Sequence, residues 1–141
     1  MIRKASAVWK GTLKDGSGTI TTESGTLSNA PYSFKSRFET GTGTNPEELI
    51  AASHAGCFTM ALDAQLTIAG LKPESIATSA ALTLEQVEKQ WTVTKIHLEV
   101  NAKVPGTTNE AFQKLAADAK ANCPISRVLK AEITMTATLA S

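Results

Sequence analysis

Asn45-Pro46-Glu47-Glu48-Leu49-Ile50-Ala51-Ala52-Ser53-His54-Ala55-Gly56-Cys57-Phe58-Thr59-Met60-Ala61-Leu62, running on to Gly70, is the longest helical signal in the chain. Asn45 suits an N-cap and Pro46 the first helical position, where its missing N–H costs nothing. Glu47 and Glu48 suit the positive end of the helix dipole. Ile50, Ser53, Cys57, Met60, Ala61, Ala64 and Ile68 recur at helical spacing and are expected to form the apolar stripe. Gly70 ends the helix, with Pro73 beyond. Its many Ala, Ser and Gly residues allow close approach of another helix, so the segment is expected to be central.

Outward from this helix the pattern changes period. On the N-terminal side Ala5, Ala7 and Trp9 alternate with polar neighbours, and Asp15-Gly16 marks a hairpin before Gly18–Thr22. Asn29-Ala30-Pro31 reads as a turn into an alternating Tyr32 and Phe34, with Arg37 at the end of this strand region. On the C-terminal side Ser75–Leu84 reads as a strand and Glu88-Lys89-Gln90 as a turn. Ile96, Leu98, Val100, Ala102 and Val104 alternate over a second, longer strand. Asn109 is placed to cap another helix carrying Phe112, Leu115, Ala116 and Ala119, which ends at Asn122. Cys123-Pro124-Ile125-Ser126 opens a further short helix, and Ile133, Met135, Ala137 and Leu139 alternate in a last strand. This order predicts an α+β fold, antiparallel strands packed on two main helices.

The chain has 141 residues, 42% hydrophobic and 19% charged, which fits one globular domain over residues 1–141. Its formal net charge of +1 carries no electrostatic footprint for nucleic acid. No stretch reaches the roughly 18 apolar residues of a membrane span, and Met1–Trp9 lacks the apolar region of a signal peptide. A cytoplasmic location is therefore expected, where thiols stay reduced.

That expectation draws attention to the two cysteines, Cys57 and Cys123. Cys57 sits mid-helix, where a buried small hydrophobe is the plain reading. Cys123 precedes Pro124 at a helix start, where backbone N–H groups stabilise a thiolate. Two cysteines in a reducing compartment suggest a redox pair, although 66 residues separate them. A cysteine peroxidase needs a thiolate, a cation to stabilise it and a second thiol to capture the sulfenic acid. Arg37, between Phe34 and Phe38, is the best-placed cation. His54 is read as a structural histidine or as a base for Cys57, one turn away. His54, Cys57, His97 and Cys123 are the ligand types of a zinc site, but their spacing matches no common pattern, and no metal is expected. Phe58 is the aromatic best placed for an apolar substrate pocket, while Trp9, Trp91 and the other phenylalanines are expected in the core.

The segment Thr44–Leu62 resembles the first cysteine motif of the OsmC/Ohr family, the osmotically inducible and organic hydroperoxide resistance proteins. Asn122-Cys123-Pro124-Ile125-Ser126 resembles the second. Tyr32–Glu39 and Val128–Thr134 are also similar to the family, and the position of the arginine is similar to the OsmC branch. The resemblance implies a thiol-dependent peroxidase that reduces organic hydroperoxides to alcohols. It implies Cys57 as the peroxidatic cysteine, Cys123 as the resolving one and an internal disulfide between them. Arg37 and Glu47 match the pair that activates the thiolate. Phe58 and Met60 would then border an apolar substrate pocket. The resemblance also implies an intertwined homodimer with its sites at the subunit interface, no bound cofactor, and an external dithiol reductant of the lipoyl type. A binding or redox-sensing module of the same fold, without turnover, is the alternative.

Two physical points qualify this picture. Glu47 and Cys57 are ten residues apart, about 15 Å along a continuous helix, too far for one compact site. Either the helix breaks between them or one residue comes from a partner chain. In addition, dipole reasoning makes Cys123 the more acidic thiol, whereas the resemblance makes Cys57 the nucleophile.

Overall fold

The computed structural model describes residues 1–141, which divide into two compact units, Met1–Leu49 and Ile50–Ser141. The first holds β1 (Ala5–Lys10), β2 (Ser17–Thr22) and β3 (Ala30–Tyr32), paired antiparallel in that order. It also holds a short helix, α1 (Phe34–Phe38). Gly18 on β2 is what lets this small sheet close. A Cβ there would run into the Tyr32 ring, the Val8 carbonyl at 2.6 Å and the Trp9 ring at 2.7 Å. Without it, Trp9 and Tyr32 meet across the strand, ring centroids 5.3 Å apart.

Arg37 lies on α1, and so on a helix where the alternation of Tyr32 and Phe34 suggested strand. The reason is local hydrogen bonding. Ser33 Oγ accepts from Ser36 N (3.1 Å) while Ser36 Oγ accepts from Ser33 N (2.9 Å), a capping box that starts the helix. Ser36 Oγ also reaches the Thr44 carbonyl at 2.8 Å. A capping box with serine in place of glutamate at its third position is easily missed in a short segment.

The helix α2 spans Pro46–Ile68 without a break, and Asn45 caps it, its Oδ1 accepting from Glu48 N at 2.8 Å. The buried side chains on α2 are His54, Phe58, Leu62 and Leu66. This differs from the expected stripe: Met60 is 76% and Ile68 81% exposed. Apolar and small residues lie on every side of this helix, so spacing alone does not single out the buried face.

In the second unit β4 (Ser75–Val87) and β5 (Gln90–Lys103) form a long antiparallel hairpin. Its turn places Glu88 and Lys89 at φ of 50° and 66°, a left-handed conformation that costs roughly 1–2 kcal/mol per residue and that the paired strands impose. β6 (Glu132–Ala140) pairs with β5 in parallel, so this pair departs from the antiparallel expectation. A parallel pair needs a crossover, and α3 (Asn109–Asn122) and α4 (Pro124–Val128) supply it. Thr108, one residue before the expected Asn109, caps α3. The core gathers Phe58, Leu62 and Leu66 of α2, Ile96, Leu98 and Val100 of β5, Phe112, Ala116 and Ala119 of α3, and Cys123. Of the aromatic residues expected in the core, Phe112 is there, whereas Trp91 is 53% exposed; Phe58, expected at a substrate pocket, is fully buried in the core. No helix is long and apolar enough to cross a membrane.

Candidate active site

The second unit brings the two cysteines together. Cys57 is half-buried on α2, and Cys123 is fully buried at the junction of α3 and α4. Both are free thiols, and their sulfurs share a hydrogen bond at 2.9 Å. Burial pushes the Cys57 thiol up from its ordinary value, and the bond to Cys123 adds to that effect. Burial also pushes Cys123 up, but this is outweighed by the neighbouring Cys57 thiol and by the polar groups of Ser126 and Ile125 at the start of α4. The net result lies below the ordinary value.

His54 sits one turn before Cys57, fully buried, yet its ring does not bond that thiol. Nε2 lies 2.8 Å from Ser126 Oγ, and Nδ1 is buried with no partner. Burial holds the imidazole below its ordinary pKa and thus neutral. Ser126 was not singled out from the sequence; the signal that could have found it is its place on the first turn of α4, three residues after Cys123.

The first unit brings Arg37 and Glu47 together. Arg37 Nε donates to both carboxylate oxygens at 3.1 Å, and Nη2 donates to Oε1 at 2.7 Å. The pair is side-on and multidentate, which fixes the guanidinium plane. Arg37 Cζ lies 5.0 Å from the centre of the Phe38 ring. Trp9, Tyr32, Phe34 and Phe38 wall a cavity of about 340 Å³ beside Arg37, an aromatic wall that periodicity did not reveal.

The remaining candidates are placed as follows. Phe58 is fully buried in the core, directly after Cys57. Met60 lines a second cavity of about 540 Å³ with Pro73 and Ile76. His97, on β5, bonds Thr134 Oγ1 through Nδ1 at 2.7 Å and Thr136 Oγ1 through Nε2 at 3.3 Å. Nowhere do three or more His, Cys, Asp or Glu side chains converge as a metal cluster would require.

Two free thiols whose sulfurs lie 2.9 Å apart are a geometry suited to thiol redox chemistry. The OsmC-like protein family matches residues 39–138. The chain is 50% identical over 133 residues to the peroxiredoxin OsmC of Escherichia coli (strain K12), covering 94% of this chain and 93% of that one. It is 33% identical over 101 residues to an organic hydroperoxide resistance protein of Xanthomonas axonopodis pv. citri, covering 71% and 69%. An OsmC-like protein of Mycoplasma pneumoniae shares the fold at a TM-score of 0.79 and 13% identity, covering 100% of this chain and 99% of that one. The chain belongs to the OsmC-like family and is a cysteine-based peroxidase.

Proposed function

We propose that this peroxidase reduces organic hydroperoxides to alcohols through Cys57 and Cys123. The Cys57 thiolate attacks the terminal peroxide oxygen. The O–O bond breaks, the alkoxide takes a proton to leave as ROH, and Cys57 remains as a sulfenic acid. Cys123 then attacks that sulfur, a disulfide forms, and the sulfenic oxygen leaves as water. An external dithiol, of the lipoyl type, restores both thiols by exchange. Arg37, oriented by Glu47, stabilises the Cys57 thiolate and the charge that develops on the peroxide. The aromatic wall beside Arg37 and the exposed Met60 offer an alkyl group apolar contact, with Phe58 backing Cys57 from the core. The observation that carries this reading is the 2.9 Å approach of the two free sulfurs.

Ten residues of unbroken helix put Glu47 about 15 Å along α2 from Cys57. We therefore assign the Arg37–Glu47 pair that serves each Cys57 to a second copy of the chain, in a homodimer. The exposed apolar side chains Val8, Leu13, Met60 and Ile68 support such an association.

Intact-mass analysis after one equivalent of an alkyl hydroperoxide tests the chemistry. Loss of two hydrogens with a mapped Cys57–Cys123 bond, followed by steady turnover with a dithiol, is the expected result. An unchanged mass overturns it, and a single round without turnover leaves a redox sensor. Co-expression of Cys57→Ser with Arg37→Met tests the shared site. Each variant alone is inactive, and mixed dimers should recover about a quarter of the wild-type rate, one intact site in half of the dimers.

A further inference from the structure

The two thiols face their surroundings unequally. Cys57 is half-buried on α2, and Ser53, Gly56 and Met60 beside it on the helix surface are exposed. A Cβ built on Gly56 would meet nothing within 4 Å, so the surface next to Cys57 is open. Cys123 is fully buried, packed in the core cluster with Phe58, Phe112 and Ala119. Its backbone is tied on both sides: its N–H donates to the Ala119 carbonyl at 2.9 Å, and its carbonyl accepts from Arg127 N at 3.1 Å. Drawing this sulfur into solvent would release those ties and empty a close-packed site. Closing a disulfide asks for no such opening. The sulfurs lie 2.9 Å apart, less than an ångström beyond a bond of about 2.05 Å, so Cys123 stays in the core when the bond forms.

We propose that the external dithiol enters at Cys57 alone: its thiolate attacks the Cys57 sulfur of the disulfide and Cys123 is released as the leaving thiolate, so that one opening at Cys57 admits peroxide and reductant in turn. The inference rests on the two-cysteine reading. Exchange depends on which sulfur an incoming thiolate can reach. For Cys123 every direction of approach runs through packed side chains, whereas Cys57 keeps part of its surface in solvent. Exchange also runs faster when the leaving thiol has the lower pKa, and Cys123 is the thiol held below its ordinary value. In the first step the bond between the protein sulfurs breaks, its electron pair leaves with Cys123, and a mixed disulfide joins Cys57 to the reductant. The second thiol of the reductant, as a thiolate, then attacks the reductant sulfur bound to Cys57. Cys57 leaves as a thiolate and the reductant ends as a cyclic disulfide. The two protons that the dithiol gives up pass through solvent to the two protein thiolates.

The test uses the wild-type chain. Diamide closes the disulfide without any peroxide. A brief pulse of mercaptoethanol, which has a single thiol, then opens it and stays bound to the sulfur it attacked. N-ethylmaleimide in urea blocks the sulfur set free, and peptide mapping locates both labels. The mercaptoethanol adduct should lie on Cys57 and the maleimide on Cys123, by about ten to one or more. Equal adducts, or an excess on Cys123, overturn the proposal. A second measurement compares the single-cysteine variants with the aromatic disulfide reagent dithionitrobenzoate. In the native state Cys123 of Cys57→Ser should react roughly a hundredfold more slowly than Cys57 of Cys123→Ser, because it must wait for local opening, and in urea the two rates should converge. Comparable native rates overturn the proposal as well. If diamide closes the disulfide and an alkyl hydroperoxide does not, the peroxidase reading fails, while the adduct map still judges the route of entry. If neither oxidant closes it, both readings fall.

Discussion

The thiol pair and the arginine clamp are held in opposite ways. Cys123 is part of the core, packed in one cluster with Phe58, Phe112, Leu62 and the buried face of β5. The clamp joins Arg37, on the five-residue α1, to Glu47 in the first turn of α2, in a unit whose buried side chains are Ser36 and Thr44; Arg37 is 37% and Glu47 14% exposed. Sulfur chemistry needs two atoms brought within bonding reach, and a close-packed interior enforces that separation. The role proposed for Arg37, meeting an incoming peroxide, needs an accessible position instead, and hydrogen bonds and a capping box provide its geometry. The lesson is that the thiol pair is held by packing and the arginine clamp chiefly by polar contacts, so the two should fail differently.

The largest effect should come from Cys57→Ser, which removes the proposed nucleophile and should lower turnover on the order of a thousandfold or more, read as peroxide consumed with a dithiol. Arg37→Met should come next, with a loss of about 10²–10³-fold in kcat for alkyl hydroperoxide. Oxidation of the same variant by a thiol oxidant that needs no cation should proceed at the wild-type rate. A parallel loss of both reactions would break the distinction between the two regions. For stability the order reverses. Leu62→Ala should cost about 2–5 kcal/mol in urea unfolding, whereas Val8→Ala, at an exposed site, should stay within about 0.5 kcal/mol.

A pH series separates the regions further. His54 has a folded-state pKa below the ordinary 6.5, so the unfolded chain binds its proton first as pH falls. Its neutral burial therefore supports the fold fully above about pH 6.5, and stability declines below that value. His54→Gln should flatten this decline in the urea midpoint. The smallest effect should be that of Glu47→Gln on stability, because a partly exposed ion pair is worth roughly 0.2–1 kcal/mol.

Much of this architecture was legible along the chain. Asn45 and Pro46 announce α2, and Pro124 after Cys123 announces α4, because caps and proline act through neighbouring backbone groups. The strands of the long hairpin show through strict alternation, since β5 buries one face only. What escaped were features that depend on distant partners. The buried face of α2 was misjudged by the choice of Met60 and Ile68 over Phe58 and Leu66. The parallel pairing of β6 follows from the path of the crossover, to which alternation is blind.

The sequence by itself determined the elements other than α1, their α+β order, the two cysteines and the family the chain belongs to. These are properties of neighbouring residues and of motifs. Only the tertiary structure decided that Cys57 and Cys123 stand 2.9 Å apart, that Glu47 seats Arg37, and that His54 turns to Ser126 instead of Cys57. The physical reason is that hydrogen-bond distance and burial are set by packing between segments tens of residues apart, and no local pattern encodes which of several possible partners a side chain will meet.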